Sequence, residues 1–322
     1  MDSKKISAIL IVLIGISLII IVPIQLISIF SQYGKINVSL SFPYQPSVAL
    51  PIEKLNINVD EGNIEIKYID PGVDYYGLIE IDLMMIGVNM AGKSYEDYFD
   101  IQWDELSSPA NFTFKIISND WYNPSLWIKK DINIIINLRK DIVFDIFTII
   151  KDGNLNITIP FGVSVHKLES DITNGNIFYN LHQCILMANL MANINTGNIY
   201  LKANNIEYAK DINWSLNNNL GDAYFELYQY KGMGANISGK ITLNNGNLNL
   251  TYCDINANVG AFFTLPKSDF ERSGTIRNIN GFNVTILNPI GYILRSVDYP
   301  ANFNYNFLFD ITGSDIIDIE SQ

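Results

Sequence analysis

Leu168-Glu-Ser-Asp-Ile-Thr-Asn-Gly-Asn-Ile177 is the stretch on which the reading of this chain turns. Leu168 and Ile172 alternate with Glu169 and Asp171, the period-2 pattern of a half-buried strand. Asn174-Gly175 then marks a corner, and Ile177 restarts the alternation. The tripeptide that closes the segment, Gly-Asn-Ile/Leu, occurs five times, at Gly62, Gly153, Gly175, Gly197 and Gly246. Composition alone predicts roughly 0.6 copies, so the motif is a repeat. Looser copies stand at Gly221-Asp222-Ala223 and Gly260-Ala261-Phe262, and from Gly153 onward the spacings are 22, 22, 24, 25 and 14 residues. A period in the low twenties with strand-like flanks points to stacked β-rungs.

The chemistry of a rung corner accounts for the residue types. A turn between two strands commonly needs positive φ, which Gly supplies without a Cβ clash and Asn tolerates better than most. Gly62, Gly153, Gly175, Gly197, Gly221, Gly246 and Gly260 are therefore the expected structural turns. The residue after each Gly has two readings: a ladder of amides running from rung to rung, interrupted at Asp222, or side chains solvated at the corners. On either, the apolar residue two positions after the Gly points into the core.

The expected fold is all-β, a right-handed stacked solenoid with an N-terminal β-subdomain, preceded by a single transmembrane helix. Its divisions are a cytoplasmic tail (1–5), the membrane helix (6–30), a juxtamembrane linker (31–50), the N-terminal β-subdomain (51–150), the solenoid repeats (151–286) and a C-terminal cap or edge strands (287–322). Within the subdomain, Leu55–Val59 and Ile64–Ile66 read as a two-strand unit about Gly62. Ile79–Val88, Phe112–Ile117 and Ile132–Leu138 read as strands, and Tyr95–Leu106 as a loop or short helix.

Ile6–Phe30 carries no charge over its full length. As a helix it rises about 1.5 Å per residue, enough to cross a hydrocarbon core of about 30 Å with some tilt. A cleaved signal peptide would have a shorter apolar core and small residues at the cut, neither of which is present. Lys4 and Lys5 precede the span, so the positive-inside bias puts the N-terminus in the cytoplasm and the rest outside. Seven Asn-x-Ser/Thr sequons (Asn37, Asn111, Asn156, Asn213, Asn236, Asn249, Asn283) agree with that placement. In a chain with 39 Asn they add little weight.

The formal charge of −12 and the lack of a basic cluster argue against nucleic acid and anionic lipid headgroups as partners. The two cysteines, Cys184 and Cys253, lie about three rungs apart, or about 14 Å, beyond the ~7 Å reach of a disulfide. They read as free, buried thiols.

No nucleophile elbow, phosphate loop, zinc pattern or dinucleotide fingerprint is present, and the sequence calls for no catalytic residue, metal or cofactor. His166 and His182 have no third ligand in view. Asp171, Glu207, Asp211, Asp222, Glu226 and Asp254 read as solvated carboxylates spread over the rungs. Asp152, Asn154 and Asn156 do not complete a calcium loop. The remaining candidates are Trp121, Tyr122 and Trp127, in a Pro-containing loop. An exposed aromatic platform there would suit sugar rings or a protein partner, and three buried rings would make it core.

The succession Lys54-Leu-Asn-Ile-Asn-Val-Asp-Glu-Gly-Asn-Ile-Glu-Ile66, then Leu155-Asn-Ile-Thr-Ile-Pro-Phe-Gly-Val163, then Leu168 to Ile177 resembles the putative-adhesin domain family of unknown function. Its members are described as β-solenoids with a toast-rack stack of strands. The shared signature is strand-Pro-x-Gly-Val followed by Gly-Asn/Asp rungs, echoed at Thr264-Leu-Pro266, and the resemblance spans roughly 52–286. It brings no catalytic residues. It implies a β-solenoid of the cell surface or envelope, from which residues 70–150 depart. The function expected is a membrane-anchored, non-enzymatic module for surface binding, adhesion or scaffolding, contacting a protein or glycan. The alternative is a carbohydrate-active β-helix enzyme with carboxylates in a groove.

Overall fold

The computed structural model describes residues 33–230 and 234–252 in full, then Cys253 and six further strands as backbone. The expected membrane span at Ile6–Phe30 and the tail before it lie outside the described residues. Among those described, no helix is long and apolar enough to cross a membrane. The described residues are all-β apart from three short 3-10 turns at Tyr95–Asp97, Asn119–Tyr122 and Pro124–Leu126.

The first strands are β1 (Gly34–Tyr44), β2 (Glu53–Glu61), β3 (Asn63–Ile69), β4 (Gly77–Gly87), β5 (Phe99–Asp104), β6 (Ala110–Ile116) and β7 (Trp127–Arg139). The regular rungs follow as β8 (Phe144–Asp152), β9 (Leu155–Ile159), β10 (Ser164–Asn174), β11 (Ile177–His182), β12 (Ile185–Leu186), β13 (Leu190–Thr196) and β14 (Ile199–Asn204). They continue with β15 (Glu207–Tyr208), β16 (Ile212–Leu220), β17 (Ala223–Tyr228), β18 (Ile237–Asn245) and β19 (Asn247–Cys253). The chain ends with β20 (Val259–Pro266), β21 (Ile276–Arg277), β22 (Phe282–Leu287), β23 (Gly291–Ser296), β24 (Tyr305–Thr312) and β25 (Ile316–Ser321).

Two large sheets result. One has eleven strands in the order β1-β4-β7-β3-β9-β11-β14-β17-β19-β25-β21. The other has fourteen, with the path β22-β23-β20-β24-β18-β16-β13-β10-β8-β2-β6-β5 and the short β12 and β15 beside it. Each regular rung gives one strand to the fourteen-stranded sheet, turns at a Gly, and gives the next to the eleven-stranded sheet. A second corner, with positive φ at Gly162, Gln183 or Asn205, returns the chain. Successive rungs are parallel and in register: Ile172 sits opposite Ile194, and Ile177 opposite Ile199. Alternate side chains from both sheets fill one core. Leu155, Ile157, Ile177, Leu181 and Leu190 are fully buried, each worth about 1.5–3 kcal/mol. Across that core the Tyr179 hydroxyl donates to Ser170 Oγ at 2.7 Å.

Three readings of the sequence change here. Residues 34–44, expected to be linker, form β1: Pro43 falls near the strand's end, where its missing N–H is tolerated on an edge strand. Gly260, expected at a corner, lies inside β20, where it pairs with Asn306. Residues 287–322, expected as a C-terminal cap or edge strands, include two strands that are interior: β24 lies between β18 and β20, and β25 between β19 and β21. The N-terminal end has the same device. The β2–β3 rung is inserted between β6 and β8 in one sheet and β7 and β9 in the other. The Gly62 corner therefore stacks directly on Gly153, 91 residues later in the chain.

The chain divides into two compact units. Among the described residues the smaller draws on 33–39, 82–99 and 116–132, and the larger holds the others; β1, β4, β5, β6 and β7 contribute residues to both. The smaller unit is organised by aromatics. Trp121 is fully buried, 4.8 Å from Phe99 and 5.0 Å from Trp127 between ring centroids, with Lys130 Nζ 4.1 Å above its ring. Ser118 caps the 3-10 turn Asn119–Tyr122 that holds Trp121, and Asn123 caps Pro124–Leu126, each accepting from a backbone N–H two residues on.

Candidate functional site

The corner glycines form a continuous column within the larger unit. Gly62, Gly153, Gly175, Gly197, Gly221 and Gly246 have φ between 133° and 149°, and from Gly153 on each backbone lies against the carbonyl of the corner glycine before it. A Cβ at Gly175 would stand 1.7 Å from Gly153 O. Beside this column runs a ladder of side chains, which settles the choice left open by the sequence. Asn154 Nδ2 donates to Asn63 Oδ1 (2.9 Å) and Asn176 Nδ2 to Asn154 Oδ1 (2.8 Å). The N–H of Asn198 donates to Asn176 Oδ1 (3.0 Å) and that of Asp222 to Asn198 Oδ1 (2.8 Å). Asp222 does not interrupt the ladder, because its Oδ1 accepts from both Asn247 N (2.8 Å) and Asn247 Nδ2 (2.9 Å).

The outer face of the eleven-stranded sheet carries a second ladder. Phe178, Tyr200 and Tyr224 occupy one register row, with centroids 4.6 and 4.9 Å apart and planes within 5° and 4° of parallel. Each ring follows a corner glycine by three residues, a signal the sequence holds but which was not among the candidates read from it. The rings cover one another's faces, so the inner one has no free face for a sugar to stack on. Alongside, Lys202 pairs with Glu226 at 2.7 Å.

The outer face of the fourteen-stranded sheet carries two rows of asparagines. Asn193 and Asn217 form one rail, with Asn217 Nδ2 donating to Asn193 Oδ1 at 2.7 Å. Asn195, Asn219 and Asn244 form a second, linked at 2.9 Å and 2.9 Å. Residues two apart on a strand are separated by about 7 Å, and successive rungs by about 4.8 Å. Between the rails lies a trough of about 210 Å³, whose lining also includes Asp171, Thr242 and Asn218. Asn218 replaces an aliphatic residue in the inward column Ile150–Ile172–Ile194–Asn218–Leu243. Its Nδ2 donates to Gly197 O (2.9 Å) and Asp222 O (3.1 Å), while its buried Oδ1 has no partner. Asn217, Asn219 and Asn244 each donate to the amide one rung back, Asn193 and Asn195 only accept, and every rail amide keeps hydrogen-bonding capacity for a ligand. The trough is thus a polar, nearly uncharged surface with donors and acceptors repeated every rung.

Of the sequence candidates, Trp121 is core, Trp127 is half-buried with its Nε1 donating to Trp121 O at 3.0 Å, and Tyr122 is 64% exposed. They do not form a three-ring platform, because Trp121 and Trp127 turn into the smaller unit. His166 pairs through Nδ1 with Asp145, and His182 is exposed on β11. Among the described residues no group of three or more His, Cys, Asp or Glu is placed to hold a metal. Cys184 is a free, buried thiol whose pKa burial pushes up to about 12. The backbone of Cys253 lies three strands away, in the register row of His182.

No family model and no curated protein matches the chain. Solved structures similar to it include a putative cell adhesion protein from Clostridium sporogenes (15% identity, 89% of this chain and 100% of that one covered, TM-score 0.37). Others are a putative lipid binding protein from Parabacteroides distasonis (11%, 88% and 96%, 0.36) and a putative adhesin from Bacteroides fragilis (9%, 88% and 96%, 0.35).

Proposed function

We propose that this chain is a non-enzymatic surface binding module that holds a neutral, hydroxyl-rich polymer, a glycan chain, along the amide trough. The observation that carries the reading is the pair of Asn rails, Asn193–Asn217 and Asn195–Asn219–Asn244. Hydroxyl groups both donate and accept, which matches primary amides better than any charged ligand does. A linear polymer running along the stack meets the same chemistry at each rung, as extended solenoid surfaces favour. The lining includes one carboxylate, Asp171, which supports binding over hydrolysis by a carboxylate pair. Residues 6–30 complete the proposal as a single membrane anchor, with the stack outside the cell.

The test is retention on insoluble cell-envelope polysaccharides, with titration of soluble fragments by calorimetry. Replacing Asn193 and Asn217 together by Ala removes two bonding amides at about 1 kcal/mol each and should weaken binding at least tenfold. Unchanged affinity in that variant would sink the trough as the site. Release of new reducing ends during incubation would move the reading to an enzyme.

A further inference from the structure

Two of the sequons stand where the ring ladder ends. On the outer face of the eleven-stranded sheet, Asn156 is the register partner of Phe178, and Asn249 that of Tyr224. One row therefore reads Asn156–Phe178–Tyr200–Tyr224–Asn249 across five consecutive strands. The next outward row reads Thr158–Asn180–Lys202–Glu226–Thr251, so each sequon hydroxyl stands on the same face as its Asn, two residues along the strand. Tyr200 covers the inner faces of Phe178 and Tyr224. The two faces of the ladder not covered by another of its rings are those directed at Asn156 and Asn249. Phe178 and Tyr224 are each 37% exposed.

The sequons differ in what their amides are doing. Asn156 and Asn249 are exposed, and their side-chain amides make no hydrogen bond among the described residues. Asn111, by contrast, is engaged: Nδ2 donates to Ser107 Oγ (3.0 Å) and Pro109 O (2.8 Å), while Oδ1 accepts from Asn56 (3.0 Å). An attached sugar requires the amide nitrogen to leave such bonds, and at Asn111 it would strip a half-buried network.

We infer that Asn156 and Asn249 are N-glycan attachment sites, each placing its first sugar on the adjacent terminal ring of the Phe178–Tyr224 ladder. In the step, Nδ2 attacks the anomeric carbon of a lipid-linked saccharide carried on a phosphate leaving group. The C–N bond forms, the carbon–oxygen bond to phosphate breaks, the phosphorylated lipid departs with the electron pair, and Nδ2 gives up one proton. The apolar face of a pyranose then covers an aromatic face otherwise left to water. The inference rests on the exterior placement proposed above, not on the trough, which lies on the other sheet.

The test is the full chain produced in an N-glycosylating host, with site occupancy mapped by mass spectrometry of glycopeptides. Protease shaving of intact cells reports in parallel which side of the membrane the stack occupies. Expected are majority occupancy at Asn156 and Asn249 and several-fold lower occupancy at Asn111. An exterior chain with both sites bare overturns the attachment and leaves the placement standing. A protected, interior chain overturns the placement and the attachment with it. For the ring contact, enzymatic glycan release from the folded protein should be faster at Asn156 in Phe178→Ala than in the parent, and unchanged at Asn249. Equal release rates at Asn156 would refute the stacking.

Discussion

Gly175→Ala isolates what holds neighbouring rungs at their spacing. The residue has φ of 141°, so an L side chain there costs about 1–2 kcal/mol in backbone strain. The added Cβ would also lie 1.7 Å from Gly153 O, a contact that must roughly double in length before it becomes ordinary. Opening the corner stretches Gly153 N→Asn174 O (2.9 Å), Leu155 N→Asn176 O (2.9 Å) and Asn176 Nδ2→Asn154 Oδ1 (2.8 Å). At about 1 kcal/mol for each bond, the total loss with the strain is about 4–5 kcal/mol, at the high end for a single substitution. Gly72→Ala is the control: its φ is 133°, but nothing lies within 4 Å of the added Cβ, so it should lose only the strain of about 1–2 kcal/mol. Urea unfolding followed by circular dichroism compares the two midpoints. Equal losses would refute the argument that the glycine column sets the stacking distance.

Other outcomes follow from the ladders and the core. Asn176→Ala leaves the Asn198 N–H without its side-chain acceptor and should cost about 1–2 kcal/mol in urea unfolding. Asn176→Asp keeps that acceptor, as Asp222 does two rungs on, and should lose less. Tyr200→Ala removes both stacks of the ring ladder and should cost about 1–3 kcal/mol by the same assay, at 0.5–1.5 for each pair. The phenols of Tyr44, Tyr68, Tyr179 and Tyr208 are held above the ordinary tyrosine range, chiefly by burial. Their stabilisation is complete below the unfolded value of about 10 and is lost as pH rises toward the folded values. These four phenols should therefore make the melting temperature fall as pH rises beyond about 10, and a melting temperature that stays level from about pH 9 to about pH 12 would contradict it. In a Cys253→Ser background, Cys184 should react with a thiol reagent at neutral pH only after denaturant is added; rapid labelling of the folded protein would show that the thiol is not enclosed.

How much of this was legible in the sequence depends on whether a feature is local to the repeat. The corner column was readable because glycine is the one residue that fits both the positive φ and the close carbonyl. The ring ladder and the trough sit at fixed offsets from that glycine. Phe178, Tyr200 and Tyr224 are three residues after it, Asn195, Asn219 and Asn244 two before, and Asn193 and Asn217 four before. Aligning the copies on their glycines displays both, whereas reading each tripeptide alone does not. Trp121 and Trp127 read as part of an exposed platform because a loop holding Pro124 shows no core pattern until Phe99 and Tyr98 are brought against it from elsewhere in the chain. The inserted rungs left no local trace at all. The alternation in β2 and in β24 reads as a strand with a core face whichever neighbours it has, and register between distant segments is a global property.

Those inserted rungs have a mechanical consequence. In a plain solenoid the last rung touches one neighbour, and a pull on the chain end peels it like the outermost plate of a stack. Here β2–β3 and β24–β25 are each gripped on both sides by rungs that lie further along or further back in the chain. On the C-terminal side a load meets β25 and then β24, each of which must part from two partners at once, whereas on the N-terminal side the edge strand β1 can peel from β4 before the gripped β2–β3 rung is reached. The same wedge sets a schedule for synthesis: the gap between β18 and β20 cannot close until residues 305–312 have been made. That side of the stack is locked last, by β24 and β25, and it should yield to tension there by abrupt rupture and not by gradual unwinding.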